Sequence, residues 1–263
     1  MPLTKNRIRE ISALARKTVR EERGLFVAEG LRLVTDAAAS AAEIPEAFAT
    51  AEFASSEQGA RLMEVLRRRG TICTNATDRE FAGIADTVNA QGVLALVRAE
   101  KVTAEDLMDR LGAPSVVVAL DGIADPGNLG SILRTCDWFG TGGVLLGSGS
   151  VDLYNPKVVR ATMGGIFRVP VAVDLDLPEE ALRAKARGYT VFVADQSARV
   201  PLAEARFPER TLIALGNEAH GVSAALARIA DERISIPRFG SAESLNVGVA
   251  CGILLAAHRR CYP

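Results

Sequence analysis

Short apolar runs alternate with helix-spaced apolar positions along most of the chain, and this alternation predicts an α/β protein. From residue 115 onward the pattern is regular, and runs such as 116–120 are apolar at every position. Strands of this kind are covered on both faces, which is typical of a parallel sheet with helices on each side. The predicted strands are 116–120, 143–146, 166–173, 190–194, 211–215 and 233–236, and the predicted helices are 129–138, 156–163, 179–186 and 224–230.

The same alternation is less regular before residue 100, where it predicts a smaller α/β domain. Residues 98–114 are charged and compatible with a helix, and the domain boundary is expected inside them. We therefore predict a first domain over 1–100, a linker over 101–113 and a second domain over 114–263.

The last part of the chain passes from a strand through Pro237 and a Gly/Ser loop into an apolar helix that has no polar face until His258. Ser244 and Asn246 stand where this helix opens, so free backbone amides and small polar side chains meet there. We expect a ligand to bind at this point. An apolar helix of this length is also expected to be buried on most sides.

The composition of the chain bears on its cellular compartment and on whether it binds a metal ion. With 263 residues and 48% apolar residues, the chain is long enough for two cores. The apolar runs are too short to cross a membrane and no secretory signal opens the chain, which predicts a soluble cytoplasmic protein. No metal site is expected, because there are only two histidines and the cysteines lie far apart. These reduced, mostly packing cysteines are Cys73, Cys136, Cys251 and Cys261.

A net charge of −1 gives no global attraction for a nucleic acid, so such a partner requires a local patch. Residues 5–23 form one, with an excess of four positive charges. Ile8, Ile11 and Leu14 recur there at helical spacing, which predicts an amphipathic helix with its charges facing outward. A solvated helix face is the alternative interpretation of this patch, and it is the favoured one for Arg67, Arg68 and Arg69.

Three stretches that follow predicted strands carry candidate chemistry. In the first, residues 121–136, Arg134 points roughly 140° away from the apolar helix face. Asn128 in this stretch is either a helix N-cap or a site residue. The second, residues 215–223, is rich in glycine, and its Gly216 permits close backbone approach to a ligand. His220 is there a candidate general base. Residues 147–152 are a weaker candidate for a dinucleotide-binding loop, because Asp152 stands where a third glycine belongs.

These motifs, in this order, resemble those of the SpoU-type RNA 2'-O-ribose methyltransferases of the SPOUT superfamily. Asn128, Gly130 and Arg134 are similar to the first family motif, Gly216, Glu218 and Gly221 to the second, and residues 244–250 to the third. Gly248 and Arg238 depart from the third motif, where serine and an apolar residue are common, and Arg238 is a candidate RNA contact. The family does not use a histidine at position 220.

The resemblance implies a C-terminal SPOUT domain with a trefoil knot, preceded by a small, ribosomal-protein-like α/β domain that binds the substrate. It further implies a homodimer that uses S-adenosylmethionine to methylate a ribose in RNA, with 23S ribosomal RNA favoured over tRNA. A catalytically silent RNA-binding protein of the same fold is the alternative from another class. The implied catalytic residues are Arg134, Asn128, Glu218, Ser244 and Asn246. The implied cofactor-binding residues are Leu215, Gly216, Ile236 and Leu245. The expected RNA contacts are Arg9, Arg16 and Arg20.

Overall fold

The structure, a computed structural model, describes residues 3–217 and 219–262 and divides into two compact units. The first unit contains residues up to 100 together with 154–167, and the second contains 101–153 together with the residues from 168 onward. Residues 154–167 thus pack in the first unit although they fall inside the predicted second domain, 114–263. The alternation of helices and strands continues through them, so the sequence pattern gives no sign of this change.

The first unit is built on a four-stranded sheet in the order β1-β4-β2-β3. Strand β4 is antiparallel to β1 and β2, while β2 and β3 are parallel. Its strands are β1 Leu25–Glu29, β2 Glu46–Thr50, β3 Ile72–Ala76 and β4 Val93–Arg98. Its helices up to residue 100 are α1 Lys5–Ser12, α2 Lys17–Arg23, α3 Leu31–Ala39, α4 Ala51–Ser55, α5 Glu57–Arg68 and α6 Asp78–Ala82.

The basic N-terminal stretch is not one helix, because a 3-10 helix, Ala13–Ala15, and an extended Arg16 separate α1 from α2. Arg9 and Arg16 are exposed. Arg20, in contrast, is only 5% exposed, and its Nη1 donates to the carbonyl oxygens of Leu14 (2.7 Å) and Ala15 (2.8 Å). The prediction that Arg20 contacts RNA is therefore wrong, since its guanidinium satisfies carbonyls at the end of the 3-10 helix.

Arg69 also has a structural role that its position in an arginine cluster did not indicate. Its Nη1 donates to the carbonyl oxygen of Ser40 (2.9 Å), and its Nη2 donates to that of Ala42 (2.6 Å). Carbonyls at the end of a helix have no partner within the helix, and Arg69 Nη1 supplies one to the carbonyl of Ala38 in the last turn of α3.

The second unit has a seven-stranded sheet in the order β7-β6-β5-β10-β8-β11-β9, and every neighbouring pair is parallel. The predicted parallel sheet is confirmed. Its strands are β5 Ser115–Asp121, β6 Gly143–Gly147, β7 Val171–Leu175, β8 Thr190–Ala194, β9 Val200–Pro201, β10 Arg210–Gly216 and β11 Glu232–Ser235. The helices after residue 100 are α7 Ala104–Asp109, α8 Pro126–Trp138, α9 Pro156–Ala161, α10 Leu177–Ala186, α11 Ala224–Ile229 and α12 Val247–Cys261, of which α9 belongs to the first unit.

Two local predictions differ from the structure. The strand expected over 166–173 is β7, which begins at Val171, because Gly165–Phe167 is a 3-10 helix of the first unit. The expected linker, 101–113, contains α7, whose Leu107 and Met108 are buried in the core of the second unit.

Helix α12 is less buried than its composition predicts. Its buried residues include Cys251, Leu254 and Leu255, yet Val249 is 50% exposed and Ile253 is 37% exposed. An apolar stripe on this helix therefore faces solvent in the single chain. Among the described residues, no helix combines the length and apolar character needed to cross a membrane.

Candidate active site

The three motif stretches begin at one edge of the parallel sheet. β5 and β10 are neighbours in register, with Gly216 opposite Asp121 at their carboxyl ends. β11 lies one strand further, beyond β8. Because parallel strands end at the same edge, the segments that follow β5, β10 and β11 are brought together there.

Side chains at the strand ends link the first two motifs. The Nδ2 of Asn217 donates to the carbonyl oxygen of Gly122 over 2.9 Å, and the amide of Ser223 donates to the Oδ2 of Asp121 over 2.8 Å. Neither Asp121 nor Asn217 was among the predicted site residues. Asp121 directly follows the predicted strand 116–120 and Asn217 comes two residues after the predicted strand 211–215, and that position is the signal by which they could have been found. Glu218, predicted to be catalytic, lies outside the described residues.

The first and third motifs are joined by two asparagines. The Nδ2 of Asn246 donates to the Oδ1 of Asn128 over 2.8 Å. The Oδ1 of Asn246 accepts the amides of Gly248 (2.9 Å) and Val249 (3.3 Å), so Asn246 is also the N-cap of α12. One side chain thus fixes the start of α12 and ties it to α8.

Asn128 is not the N-cap of α8. That position belongs to Asp125, whose Oδ1 accepts the amide of Asn128 over 2.8 Å. The carboxylate therefore satisfies a free amide at the start of the helix. Asn128 lies in the first turn, where its side chain reaches Asn246 instead of the helix backbone.

Arg134 lies on the outward face of α8, as the helical arithmetic predicts. It is exposed, and within the part of the chain that the structure describes it makes no hydrogen bond or ion pair. Ser131 and Trp138 are exposed on the same face, three residues before and four residues after it. The guanidinium of Arg134 is therefore available to a ligand that approaches this face.

Gly216 has a packing role that was not predicted. A Cβ added to it falls 2.0 Å from the carbonyl carbon of Gly221 and 2.1 Å from the amide nitrogen of Val222. The chain's own turn thus makes a close approach that requires glycine, and the approach of a ligand to the Gly216 backbone stays a prediction. The neighbouring Leu215 side chain is 2% exposed, which leaves only its backbone for binding.

The loop over 236–246 carries the remaining predicted site residues. Ser244, Leu245 and Asn246 are exposed, and Ile236 is half-buried. Among the described residues, no backbone group of residues 236–245 makes a hydrogen bond except the carbonyl of Ala242, which accepts from Arg238 Nη1 over 3.2 Å. Unpaired backbone amides and carbonyls therefore face solvent beside the Asn128–Asn246 pair.

Helices α8 and α12 pack closely behind these loops. A Cβ added to Gly248 falls 3.3 Å from Ser131 Oγ, so the serine common in the third motif requires this side chain to give way slightly. Cys136 and Cys251 are both fully buried and free. The hydrogen bond with Cys136 and burial hold the pKa of the Cys251 thiol well above its usual value, so both act as packing groups.

Two weaker candidates lose support. No helix follows the 147–152 loop directly, because α9 begins only at Pro156, so the strand, loop and helix order of a dinucleotide site is missing. A Cβ on Gly147 falls 2.8 Å from a Leu177 methyl carbon, which makes Gly147 a packing residue. His220 is exposed in a turn.

In residues 3–217 and 219–262, no cluster of three or more His, Cys, Asp and Glu residues is suited to a metal ion.

Comparison with known proteins identifies the family. Residues 115–256 match the model of the SpoU rRNA Methylase family, and residues 5–95 match the MRM3-like substrate binding domain. The chain belongs to the SpoU family, as the three motifs predicted.

Relatives of the chain include two 23S rRNA methyltransferases. The chain is 30% identical to the 23S rRNA (guanosine(2553)-2'-O)-methyltransferase RlmP of Bacillus subtilis, over 95% of this chain and 94% of that protein. It is 32% identical to the 23S rRNA (guanosine-2'-O-)-methyltransferase RlmB of Neisseria meningitidis, over 76% and 82%. A solved structure of an AdoMet-bound rRNA methyltransferase from Sinorhizobium meliloti has a TM-score of 0.88 at 29% identity and covers 100% of this chain and 98% of its own. The predicted α/β fold with a parallel sheet, and with a substrate-binding domain before the methyltransferase domain, is thereby confirmed.

Proposed function

We propose that this protein transfers a methyl group from S-adenosylmethionine to a ribose 2'-hydroxyl of 23S rRNA. One observation carries the proposal: all three motif stretches of the family meet at one sheet edge, where Asn246 and Asn128 are hydrogen-bonded over 2.8 Å. The activities of RlmP and RlmB support 23S rRNA as the substrate class.

The residues at this edge fit S-adenosylmethionine. Its adenine and its amino acid group both need hydrogen-bond donors and acceptors, and the unpaired backbone groups of residues 236–245 supply them. We assign the backbone at Leu215, Gly216, Ile236 and Leu245 to cofactor binding. When bound, S-adenosylmethionine supplies the methyl group.

Arg134 is the proposed catalytic residue. The reacting ribose oxygen must lose a proton whose pKa is far above neutrality, and negative charge then develops on that oxygen. A guanidinium stays protonated and is a poor base. Its planar fork can, however, hold an adjacent phosphate and at the same time stabilise the negative charge on the ribose oxygen. Asn128, Ser244, Asn246 and Glu218 shape the pocket and position Arg134 in this proposal.

RNA is held by local positive charge, since the net charge of the chain is −1. We assign phosphate contacts to Arg9 and Arg16 in the first unit, both of which are exposed. Arg238 is exposed in the loop over 236–246, and we assign it a further contact with RNA.

Methyl transfer from radiolabelled S-adenosylmethionine tests the function directly. The purified protein is incubated with 23S rRNA from cells that lack its gene and, separately, with bulk tRNA. Label recovered as a 2'-O-methylnucleoside from 23S rRNA alone is expected. Label in tRNA instead establishes the tRNA alternative, and label in neither RNA contradicts the proposal.

The silent RNA-binding alternative predicts a different result. A protein that only binds RNA has no use for a cofactor pocket, so calorimetry is expected to detect no S-adenosylmethionine binding in that case. Saturable cofactor binding with one site per chain excludes it.

We further propose a homodimer, because the apolar stripe of α12 needs a cover. Val249 is 50% exposed and Ile253 is 37% exposed on that stripe, and Trp138 of α8 is 84% exposed. Ile253→Glu is expected to convert the dimer to a monomer in sedimentation equilibrium. A monomeric wild-type protein at micromolar concentration contradicts this part of the proposal.

Two further features belong to the proposal through the family resemblance. We expect the chain after β10 to form a trefoil knot, in which the final segment passes through a loop of the same domain. A crystal structure that traces residues 210–262 tests this. We also expect a cytoplasmic protein, since ribosomal RNA is the proposed substrate, and cell fractionation checks it.

A further inference from the structure

A cavity of about 230 Å³ lies inside the first unit, among α1, β1, α9 and the residues that follow α6. Half-buried Val27, Ala85 and Pro156 give it apolar walls, while Ile11 and Ile84, which are 1% and 4% exposed, contribute little accessible surface. Sites for drug-sized ligands measure roughly 300–1,000 Å³. This cavity therefore suits a single small ring system.

The cavity also has a polar edge. The Oδ2 of Asp86 accepts a hydrogen bond from Arg160 Nη1 over 2.6 Å, and both side chains line the cavity. Within the described residues, Asp86 Oδ1 and the other guanidinium nitrogens of Arg160 make no hydrogen bond. A carboxylate acceptor and guanidinium donors therefore stand side by side at the edge of an apolar pocket.

The wall that holds Asp86 is fixed by a buried carboxylate. Glu29 is 8% exposed and accepts the amides of Asp86 (2.8 Å) and Thr87 (3.3 Å), as well as the Thr87 hydroxyl. Several donors on one carboxylate hold this short segment in place. The cavity is thus preformed, which lowers the entropic cost of binding.

Positive charge lies next to the opening. Ser12 and Ala15 line the cavity on the N-terminal side. Arg16 follows Ala15 directly, and the carbonyl of Arg9 accepts a hydrogen bond from the Ser12 hydroxyl over 3.2 Å. Two exposed arginines, Arg9 and Arg16, thus stand close in the chain to residues that line a cavity with apolar walls and a polar edge. Proteins bind unpaired RNA bases through contact with the ring faces, hydrogen bonds to the base edges and contacts with phosphates, and here aliphatic side chains stand where aromatic ones are usual.

We propose that the cavity binds one unpaired nucleobase of the RNA substrate, with its ring against Val27 and Pro156 and its edge on Asp86 and Arg160. The inference rests on the proposed function, because the occupant belongs to the RNA that is methylated. It adds an anchoring site in the first unit that is separate from the site of methyl transfer in the second.

Filling the cavity tests the proposal. Ala15 is exposed and lines the opening, so Ala15→Phe places a ring in the cavity, while Ala60→Phe on α5 places the same ring on an exposed surface away from it. Ala15→Phe is expected to weaken RNA binding and raise the KM for RNA by about tenfold or more, with kcat and cofactor affinity unchanged. Ala60→Phe is expected to behave as wild type. Equal KM values in the two variants overturn the proposal.

A second variant covers the case in which Ala15→Phe does not fold. Asp86→Ala removes the polar edge without filling the cavity, and Asp78→Ala is its exposed control on α6. Severalfold weaker RNA binding by Asp86→Ala alone, measured by fluorescence anisotropy with 23S rRNA fragments, supports the proposal, whereas unchanged binding overturns it. If wild type binds RNA but transfers no methyl group, the proposed function fails, and these binding measurements still decide whether the cavity holds a base.

Discussion

The side chain of Asn246 donates to the side chain of Asn128 over 2.8 Å while its own oxygen caps α12. These residues lie 118 positions apart in the chain. A single amide group therefore aligns the helix that carries Arg134 with the helix that follows the proposed cofactor loop.

Substitutions of these two asparagines separate positioning from stability. Asn128→Ala and Asn246→Ala both break the hydrogen bond, so both are expected to reduce methyl transfer. Only Asn246→Ala also removes the cap, and its unfolding free energy is expected to fall about 1 kcal/mol further than that of Asn128→Ala. Urea denaturation and single-turnover methylation measure the two effects. Equal stabilities contradict the capping role, and normal turnover in Asn128→Ala contradicts the positioning role.

Gly216→Ala tests the packing of the second motif. The new Cβ collides with the backbone of Gly221 and Val222, so the turn must shift, at a cost of about 1–3 kcal/mol in unfolding free energy. Affinity for S-adenosylmethionine, measured by calorimetry, is expected to fall with it. Gly112→Ala is the control, because no atom lies within 4 Å of its added Cβ. Wild-type cofactor affinity in Gly216→Ala contradicts this role of the turn.

The basic surface of the first unit is tested by the double variant Arg9→Glu and Arg16→Glu. RNA affinity is expected to fall, and the dependence of log K on log salt is expected to flatten by about one for each lost phosphate contact. Cofactor affinity is expected to stay the same. Arg67→Glu, an exposed arginine on α5, is the control. An unchanged salt slope in the double variant contradicts the phosphate contacts and supports the alternative interpretation of this surface as a solvated helix face.

The burial of His258 predicts that the free energy of unfolding falls in mild acid. His258 is fully buried against Phe207 and Tyr262, and neither ring nitrogen has a hydrogen-bond partner among the described residues. Burial, assisted by the charge of Arg259, lowers its pKa from 6.5 to about 4. Between pH 6.5 and pH 4, His258 is therefore protonated in the unfolded chain and neutral in the folded chain. Stability is therefore full above pH 6.5 and falls as the pH approaches 4, by on the order of 3 kcal/mol.

The variant His258→Phe checks this origin. It is expected to remove most of the decline in unfolding free energy between pH 6.5 and 4.5, because phenylalanine takes up no proton. His220→Asn changes the chain's other histidine, which is exposed, and is expected to retain the decline. The same pH dependence in wild type and His258→Phe contradicts the assignment.

The parallel sheet and the three motif loops were predictable from sequence because both depend on local patterns. Apolar runs mark strands buried on both faces, and the motifs follow strand ends. Arg134 was found in the same way, since helical spacing alone turns it away from the core. The outward face of an amphipathic helix is the part of a site that a sequence reveals best.

Long-range contacts explain what the sequence did not reveal. Arg20 lies in a charged stretch that is typical of a protein surface, but its guanidinium is buried because it donates to carbonyls at the end of the 3-10 helix. Position 216 requires glycine, because the backbone of residues 221 and 222 folds back against it and leaves no room for a side chain. Residues 154–167 leave the second unit without any change in local pattern. Such features depend on which segments meet in space.

Arg134→Ala is expected to lower the rate of methyl transfer by about 100-fold or more, as removal of an oxyanion donor does. Folding and cofactor affinity are expected to stay as in wild type, because the side chain is exposed and has no partner among the described residues. Arg134→Lys is expected to restore little activity, since a point charge lacks the planar fork. Single-turnover kinetics with saturating cofactor measures these rates.

The most direct test of the account maps 2'-O-methylation in 23S rRNA from cells that carry the wild-type gene, no gene, or the gene for Arg134→Ala. We predict one ribose position that is methylated with wild type, unmethylated without the gene, and almost unmethylated with Arg134→Ala. Identical methylation of 23S rRNA with and without the gene contradicts the proposed function. Full methylation with Arg134→Ala contradicts the assignment of catalysis to that residue.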